Sequence, residues 1–557
     1  MRKHGHLIVL LLLIVLAFVL RVVPLHSTVF TSAGTVLLEN DPYYHIRLAE
    51  NLAANFPLPL ARDAFIGNTI PYFPLMSYLI VIPAWIMDCS YESWAALISP
   101  LAFVALLVVV YLLGKILISK WAGVLAVAIV SFLPTELFHR SLLGFADHHV
   151  LEVLFVSLVF LYLLSAEKTG RWQKYGLLGG GALSLYIWCW KGAPLYLFVF
   201  IVISVAAVLF GKDKKSLCAF HFLSGLFALI MLIPLLVYFS LPFVYFWAVV
   251  LYMVAPYIVY QTKRVIGTRL TLGILIAVVA GLAFVFRSYI AWTLLPATGV
   301  GVTISEATPA GTYILVVMGV AIAPYLVGLW ASKDKRDVAY MIVAAWSLAA
   351  IFMFAIQMRW SYYLSVPFAL MTTAGVYYIV ERVKRQVQVG VAIALVFFIL
   401  LPGVASTPQI TDSKPLYTTS LQQAMDWLGE NTPEPFALSG GYLELCQAEP
   451  DYEVASWWPN GFFIIYGAHR APVTDPTQRD ADVAARFFVY GIGNPEYVLV
   501  DSTMVDTFPG MVQTLGGTWE QGEQAYQFSF LKRLIDNEAD RYEKIYSNEE
   551  VTIWSRE

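Results

Sequence analysis

Charge is scarce in this chain. Asp, Glu, Lys and Arg make up 13% of its 557 residues, and 35 basic against 38 acidic side chains leave a net charge of -3, so it lacks the basic footprint that nucleic acid requires. Cysteine is scarcer still. Cys89, Cys189, Cys218 and Cys446 show no metal-ligand spacing, and three of them lie in or beside apolar runs, where a small buried hydrophobe is the simple reading. A disulfide framework is therefore excluded as the organising principle. There is no internal repeat and no low-complexity segment. What the chain has instead is apolar bulk: 59% hydrophobic residues and a mean hydropathy of +0.70, the composition of a polytopic membrane protein.

Apolar runs of the ~17–25 residues that cross a bilayer recur about thirteen times before residue 405, at 7–25, 95–117, 120–135, 148–166, 173–190, 194–211, 217–239, 241–260, 269–286, 310–331, 338–357, 360–380 and 387–404. Basic residues test the count, because Lys and Arg concentrate on the cytoplasmic side. Lys115 and Lys120, Lys168 with Arg171 and Lys174, Lys212 to Lys215, Lys263 to Arg269, Lys333 to Arg336, and Arg382 to Arg385 all fall on one side with the N-terminus. The other side carries single basic residues, Arg140, Lys191, Arg287 and Arg359, which read as placed rather than topogenic. The Pro-interrupted run 71–87 is read as interfacial or re-entrant, since counting it as a span would move every basic cluster outside. The first run follows Arg2 and Lys3 and has no small-residue cleavage site at Arg21–Pro24, so it reads as a retained helix.

The expected arrangement is a polytopic α-helical membrane domain over residues 1–405, with external loops 26–94 and 287–309, followed by an extracytoplasmic mixed α/β domain over 406–557. In that domain Leu421, Ala424, Met425 and Leu428 have helical spacing behind the capping residues Thr418–Ser420, 475–490 reads as a helix before Gly491, and Tyr497–Asp501 reads as a buried strand.

The topology predicts that acids far apart in sequence collect on the outer face: Asp41 in ENDPYYHIR, Asp147 with His148 and His149 in RSLLGFADHHVLE, and Glu306 in GVTISEATP. Asp41, Asp147 and His149 offer oxygen and imidazole ligands to Mg²⁺ or Mn²⁺, which would offset carboxylate repulsion near lipid. A hard cation beside a membrane suits a phosphate or pyrophosphate, and Arg359 adds positive charge, with Tyr362 and Tyr363 in an interfacial belt. Simpler roles stay open for each. Asp147 suits a helix cap, Asp41 before Pro42 a helix start, Glu306 a solvated loop, and Arg359 a snorkelling cation.

On these residues the chain resembles the catalytic subunit of oligosaccharyltransferase, most closely the single-subunit archaeal dolichyl-phosphooligosaccharide–protein glycosyltransferases. Asp41 in NDPYYHIR looks like the first acidic motif of the family, Asp147-His148-His149 like the second, Thr303-Ile304-Ser305-Glu306 like its TIXE motif, and Arg359 in MRWSYYLSVP like the arginine that binds the lipid phosphate. Arg140 matches a basic position near the site. Trp457-Trp458-Pro459-Asn460-Gly461 departs from the WWDYG pattern, whose Asp helps to bind the acceptor hydroxyl, and Asp501-Ser502-Thr503-Met504 resembles a shorter supporting motif. Met504 equally suits a core methionine.

The resemblance implies a GT-C type fold and the transfer of an oligosaccharide from a dolichyl phosphate or pyrophosphate to the Asn amide of Asn-X-Ser/Thr. It implies catalysis by Asp41 and Glu306 and a Mn²⁺ or Mg²⁺ ion on Asp41, Asp147 and His149. Arg359, His148 and Arg140 would hold the lipid phosphate, while Glu306, Trp457, Trp458 and Met504 would line the acceptor site of a single-subunit enzyme. The alternative is a transferase of the same architecture acting on a lipid or a Ser/Thr hydroxyl, which Glu306 and the Trp457-Trp458 pair argue against. A transporter or receptor would place its ionisable residues nearer mid-membrane.

Overall fold

The structure is a computed structural model that describes residues 4–66, 70, 73–210, 214–239, 241–285, 317–335, 337–436 and 448–557. Glu306 with the 287–309 loop, Arg287 and Cys446 lie outside the described residues.

Each apolar run read as a span is helical where it is described. Among the described residues, eight helices are long and apolar enough to cross a membrane, including Tyr91–Leu117, His149–Thr169, Val338–Ile356 and Met358–Arg382. The runs at 120–135, 194–211 and 310–331 give the shorter apolar helices Lys120–Phe132, Ala193–Leu209 and Gly319–Ser332. The eighth and ninth runs form one helical stretch, Val244–Val285, broken where Gly267 takes φ 79°, a left-handed conformation that glycine adopts without a Cβ clash. The chain is a multi-pass membrane protein.

The 26–94 connection is folded. A short hairpin pairs Phe30 with Thr35, and Asn40 caps the helix Asp41–Asn55 by accepting the Asp41 N–H, with Pro42 in the first turn. The helix Leu75–Met87 has 13 residues, about 20 Å, and falls short of the ~30 Å hydrocarbon layer.

Beyond the last long helix, Gln388–Thr411, a smaller domain is built on a four-stranded sheet. Val454–Ala455 runs parallel to Tyr497–Asp501, which pairs antiparallel with Val551–Arg556, itself antiparallel to Tyr542–Ser547. Thr418 caps Thr419–Asn431 through the Leu421 N–H, and Leu421, Ala424, Met425 and Leu428 face inward, as their spacing predicts. The expected 475–490 helix is shorter, Ala481–Tyr490. Pro476 and the left-handed residues Gln478 and Asp480 keep the preceding stretch out of a helix.

The two domains share a core. Tyr43 packs against the rings of Tyr417, Phe463 and Tyr466 at 4.8 to 5.4 Å, and Tyr44 stacks on Phe462 at 4.5 Å. The Tyr466 hydroxyl donates to Glu92 at 2.9 Å, and the Leu416 N–H donates to the Leu38 carbonyl at 3.0 Å. The helix that begins at Asp41 is therefore the seat on which the C-terminal domain rests.

Candidate functional site

Asp147 lies in a non-helical segment between Glu136–Arg140 and His149–Thr169, and a buried arginine fixes that segment. Arg21, fully buried, donates to Ser141 Oγ at 2.6 Å, the Ala17 carbonyl at 3.0 Å and the Ser131 carbonyl at 3.2 Å, while its own carbonyl accepts the Leu143 N–H. The Gly144 N–H donates to Ala96 and its carbonyl accepts from Leu38. A cation inside the bundle is costly unless it is satisfied in this way, so these bonds hold the chain leading into Asp147 in one geometry.

Asp147 itself is a hub. Its Oδ1 accepts the His148 N–H at 2.6 Å, contacts the His148 ring and lies 3.3 Å from His45 Nε2. Its Oδ2 lies 3.0 Å from His149 Nε2. One turn on, Glu152 Oε1 meets His149 Nδ1 at 3.0 Å and His148 Nε2 at 3.4 Å. The other Glu152 oxygen accepts the hydroxyls of Tyr363 and Tyr362, the latter at 3.3 Å. Two overlapping trios result, His45-Asp147-His148 and His148-His149-Glu152, in each of which the ligand atoms lie within 4.8 Å of one another. Burial opposes charge on Asp147, but His148 and His149 hold its carboxyl well below the usual range. Burial lowers His45 from its ordinary value and so favours the neutral imidazole, the form that ligates metals.

The other expected site residues are distributed around this hub. Asp41 opens the helix that carries His45 one turn later and belongs to neither trio. Arg140 is buried, 3.6 Å from Glu136, with its guanidinium 5.7 Å from the Tyr362 ring. Arg359 bonds Gln357 at 3.0 Å and lies 5.1 Å from the Trp360 ring. Trp457 and Met504 are buried in the core of the C-terminal domain, and Trp458 begins the 3-10 turn Trp458–Asn460. The Pro459 carbonyl accepts from Asn40 at 3.4 Å, which ties that turn to the residue preceding Asp41. Asn460 donates to Ser456 at 3.0 Å and to Asp501.

His45 and Glu152 received no role from the sequence, although a signal for each was there. His45 is one helical turn past Asp41, and Glu152 sits three residues from His149 and four from His148, in the same-face spacing of a helix. An acid that deep in an apolar run is costly and calls for partners. Tyr362 and Tyr363 do not form an interfacial belt. Both are buried and turned inward, because the Glu152 carboxylate needs donors.

A multi-pass helical bundle with an imidazole–carboxylate cluster at a helix start, under a docked α/β domain, defines a membrane protein with a site able to hold a metal ion. The chain belongs to the oligosaccharyl transferase STT3 family, whose N-terminal model matches residues 11–410. The AglB core domain model matches 418–497. The dolichyl-phosphooligosaccharide-protein glycotransferase 3 of Archaeoglobus fulgidus is 25% identical over 86% of this chain, which spans 65% of that protein. Glycotransferase 2 of the same organism is 26% identical over 80% of this chain and 77% of its own length.

Among solved structures, the archaeal oligosaccharyltransferase AglB from A. fulgidus, in complex with an inhibitory peptide and a dolichol-phosphate, matches with a TM-score of 0.87 at 21% identity, over 98% of this chain and 80% of that one. An A. fulgidus oligosaccharyltransferase tethered to an acceptor peptide with the NVT sequon matches at 0.79 and 21% identity, over 94% and 72%. The same protein in complex with Zn and sulfate matches at 0.76 and 21% identity, over 93% and 70%. These likenesses establish the shared fold.

Proposed function

We propose that this protein is an oligosaccharyltransferase that moves a lipid-linked oligosaccharide, carried on dolichyl phosphate or pyrophosphate, to the side-chain amide of Asn in Asn-X-Ser/Thr. The observation that carries this reading is the position of one helix start. Asn40 bonds the turn that follows Trp457, and His45 meets Asp147, so Asp41 lies between the imidazole–carboxylate cluster and the C-terminal domain. An acceptor entering under that domain reaches the cluster at Asp41.

The chemical difficulty is the nucleophile, because the amide nitrogen lone pair is delocalised into its carbonyl. Asp41 and Glu306 accept hydrogen bonds from the amide NH₂, orient it and weaken that conjugation, while Arg359, Arg140 and His148 hold the phosphate. The new bond joins the amide nitrogen to the anomeric carbon, the bond from that carbon to the phosphate oxygen breaks, and the nitrogen proton passes to a carboxylate. Trp457, Trp458 and Met504 line or support the acceptor side.

The donor set fits a divalent ion that accepts nitrogen and oxygen together, which favours Mn²⁺ over Mg²⁺. Asp147 and His149 would hold it, with Asp41 from one side and with His45 and Glu152 as the additions the geometry suggests. Bound there, the ion supplies Lewis-acid stabilisation of the departing phosphate.

Residues 1–405 would form the catalytic membrane domain, with the N-terminus cytoplasmic and 406–557 outside the cell, and the enzyme would act as a single subunit. The test is transfer by the purified protein, with Mn²⁺ and a lipid-linked oligosaccharide, to a sequon peptide. Native protein glycosylates the peptide and the Asp41→Ala variant does not; equal rates for both would sink the assignment.

A further inference from the structure

Lys191 is a single basic residue of the expected outer face to which the proposed reaction gives no task. It lies in the tight connection between the helices Trp172–Cys189 and Ala193–Phe210, and the backbone around it is pinned from several sides. Its carbonyl accepts the Tyr245 hydroxyl. Two residues earlier, the Cys189 thiol donates to the His148 carbonyl at 3.7 Å. The ring of the preceding residue, Trp190, lies 5.9 Å from Trp360, the ring beside which Arg359 sits. The connection thus wedges between the imidazole cluster and Arg359, while the Lys191 side chain itself is exposed and makes no ion pair among the described residues. Desolvation lowers the ammonium from the usual lysine range, and the carboxylates of Asp475 and Asp41 act against that shift. Lys191 thus feels carboxylates of both domains and forms an ion pair with neither among the described residues.

A lysine at a membrane surface needs no further explanation when its backbone is loose and its neighbours are lipid. Here the backbone is held, and the neighbours are the cluster and Arg359. We propose that Lys191 binds a phosphate of the lipid-linked donor, as a cation additional to Arg359 and Arg140. This rests on the transferase reading above. An ammonium on a flexible stem is a point charge that can follow a phosphate as negative charge grows on its oxygen, which a planar guanidinium fixed to Gln357 does less well. Lys191 takes no part in the proton transfer.

The test is binding of dolichyl phosphate, and of neutral dolichol, to the purified full-length protein in detergent. Lys191→Met should weaken dolichyl phosphate about tenfold, leave dolichol unchanged, and be rescued to within about threefold of native by Lys191→Arg. Native affinity in Lys191→Met, or an equal loss for dolichol and dolichyl phosphate, overturns the inference. Native protein that binds the two lipids alike overturns the donor reading and this inference together, an outcome distinct from failure of the lysine alone.

Discussion

The imidazole–carboxylate cluster and the turn that follows Trp457 face the same helix start at Asp41, but they are built in opposite ways. The cluster draws Asp147, His148, His149 and Glu152 from six consecutive positions and adds His45 from one other helix. Its four neighbouring residues meet through local spacing, on a segment that Arg21, Leu38 and Ala96 hold from outside. The turn depends on distant partners: Asn40 on the Pro459 carbonyl, Asp501 on Asn460, and the Thr474–Asp475 backbone packed where a Gly461 Cβ would stand. A site drawn mostly from one helix start depends on the contacts that hold that start and not on the docking of a second domain. One made by docking depends on it.

The largest effect should come from the hub of the local site. Asp147→Ala removes the one carboxylate that touches His45, His148 and His149 together, and transfer to a sequon peptide should fall by about a thousandfold or more, on the scale of removing a charge that stabilises the transition state. The matching break on the docked side is Phe462→Ala. Phe462 is fully buried against Tyr44, so its truncation should cost about 3 kcal/mol, read as a lower unfolding temperature and as faster proteolysis at 412–418, where the domains join. If Asp147→Ala unfolded the protein and Phe462→Ala did not, the contrast between the two regions would be reversed.

This contrast also explains what was legible in the amino-acid order. Hydropathy located the described apolar helices, because a bilayer imposes one length scale on the runs that cross it. Asp147 and its two histidines stood out as polar groups before an apolar run. Glu152 did not, because it lies inside that run and its partners Tyr362 and Tyr363 come from a helix some 210 residues later. The strand Tyr497–Asp501 was readable from a short apolar run behind the Gly493-Asn494-Pro495 turn signal, whereas the shortened helix Ala481–Tyr490 was not, since its start is set by the left-handed Asp480. Nothing local distinguishes an aspartate in that conformation from a helical one.

Glu152 offers a finer cut. Glu152→Gln keeps an acceptor for Tyr362 and Tyr363 and loses the charge that faces His148 and His149. If Glu152 belongs to the ion site or steadies its ligands, the Mn²⁺ concentration for half-maximal activity should rise about 10–100-fold, with the rate at saturating Mn²⁺ largely restored. An unchanged Mn²⁺ requirement would make Glu152 a purely structural anchor for the two tyrosines.

The smallest effect concerns Pro459, and it is a gain. As it stands, the turn presents little to a hydroxyl: Trp457 is buried, the Asn460 amide is spent on Ser456 and Asp501, and the Pro459 carbonyl is bonded to Asn40. A proline side chain accepts no hydrogen bond. Pro459→Asp would add a carboxylate beside the backbone that Asn40 already steadies, and one added hydrogen bond is worth about 1 kcal/mol. The preference for a peptide with Thr two residues beyond Asn over the matching Ala peptide should therefore rise about fivefold in kcat/KM, with the Ala peptide unchanged. A native enzyme that already discriminates strongly, and a variant that discriminates no better, would mean that the hydroxyl is read by residues outside this turn. The fully buried Asp475, whose Oδ2 has no hydrogen-bond partner among the described residues, would then be the first to replace.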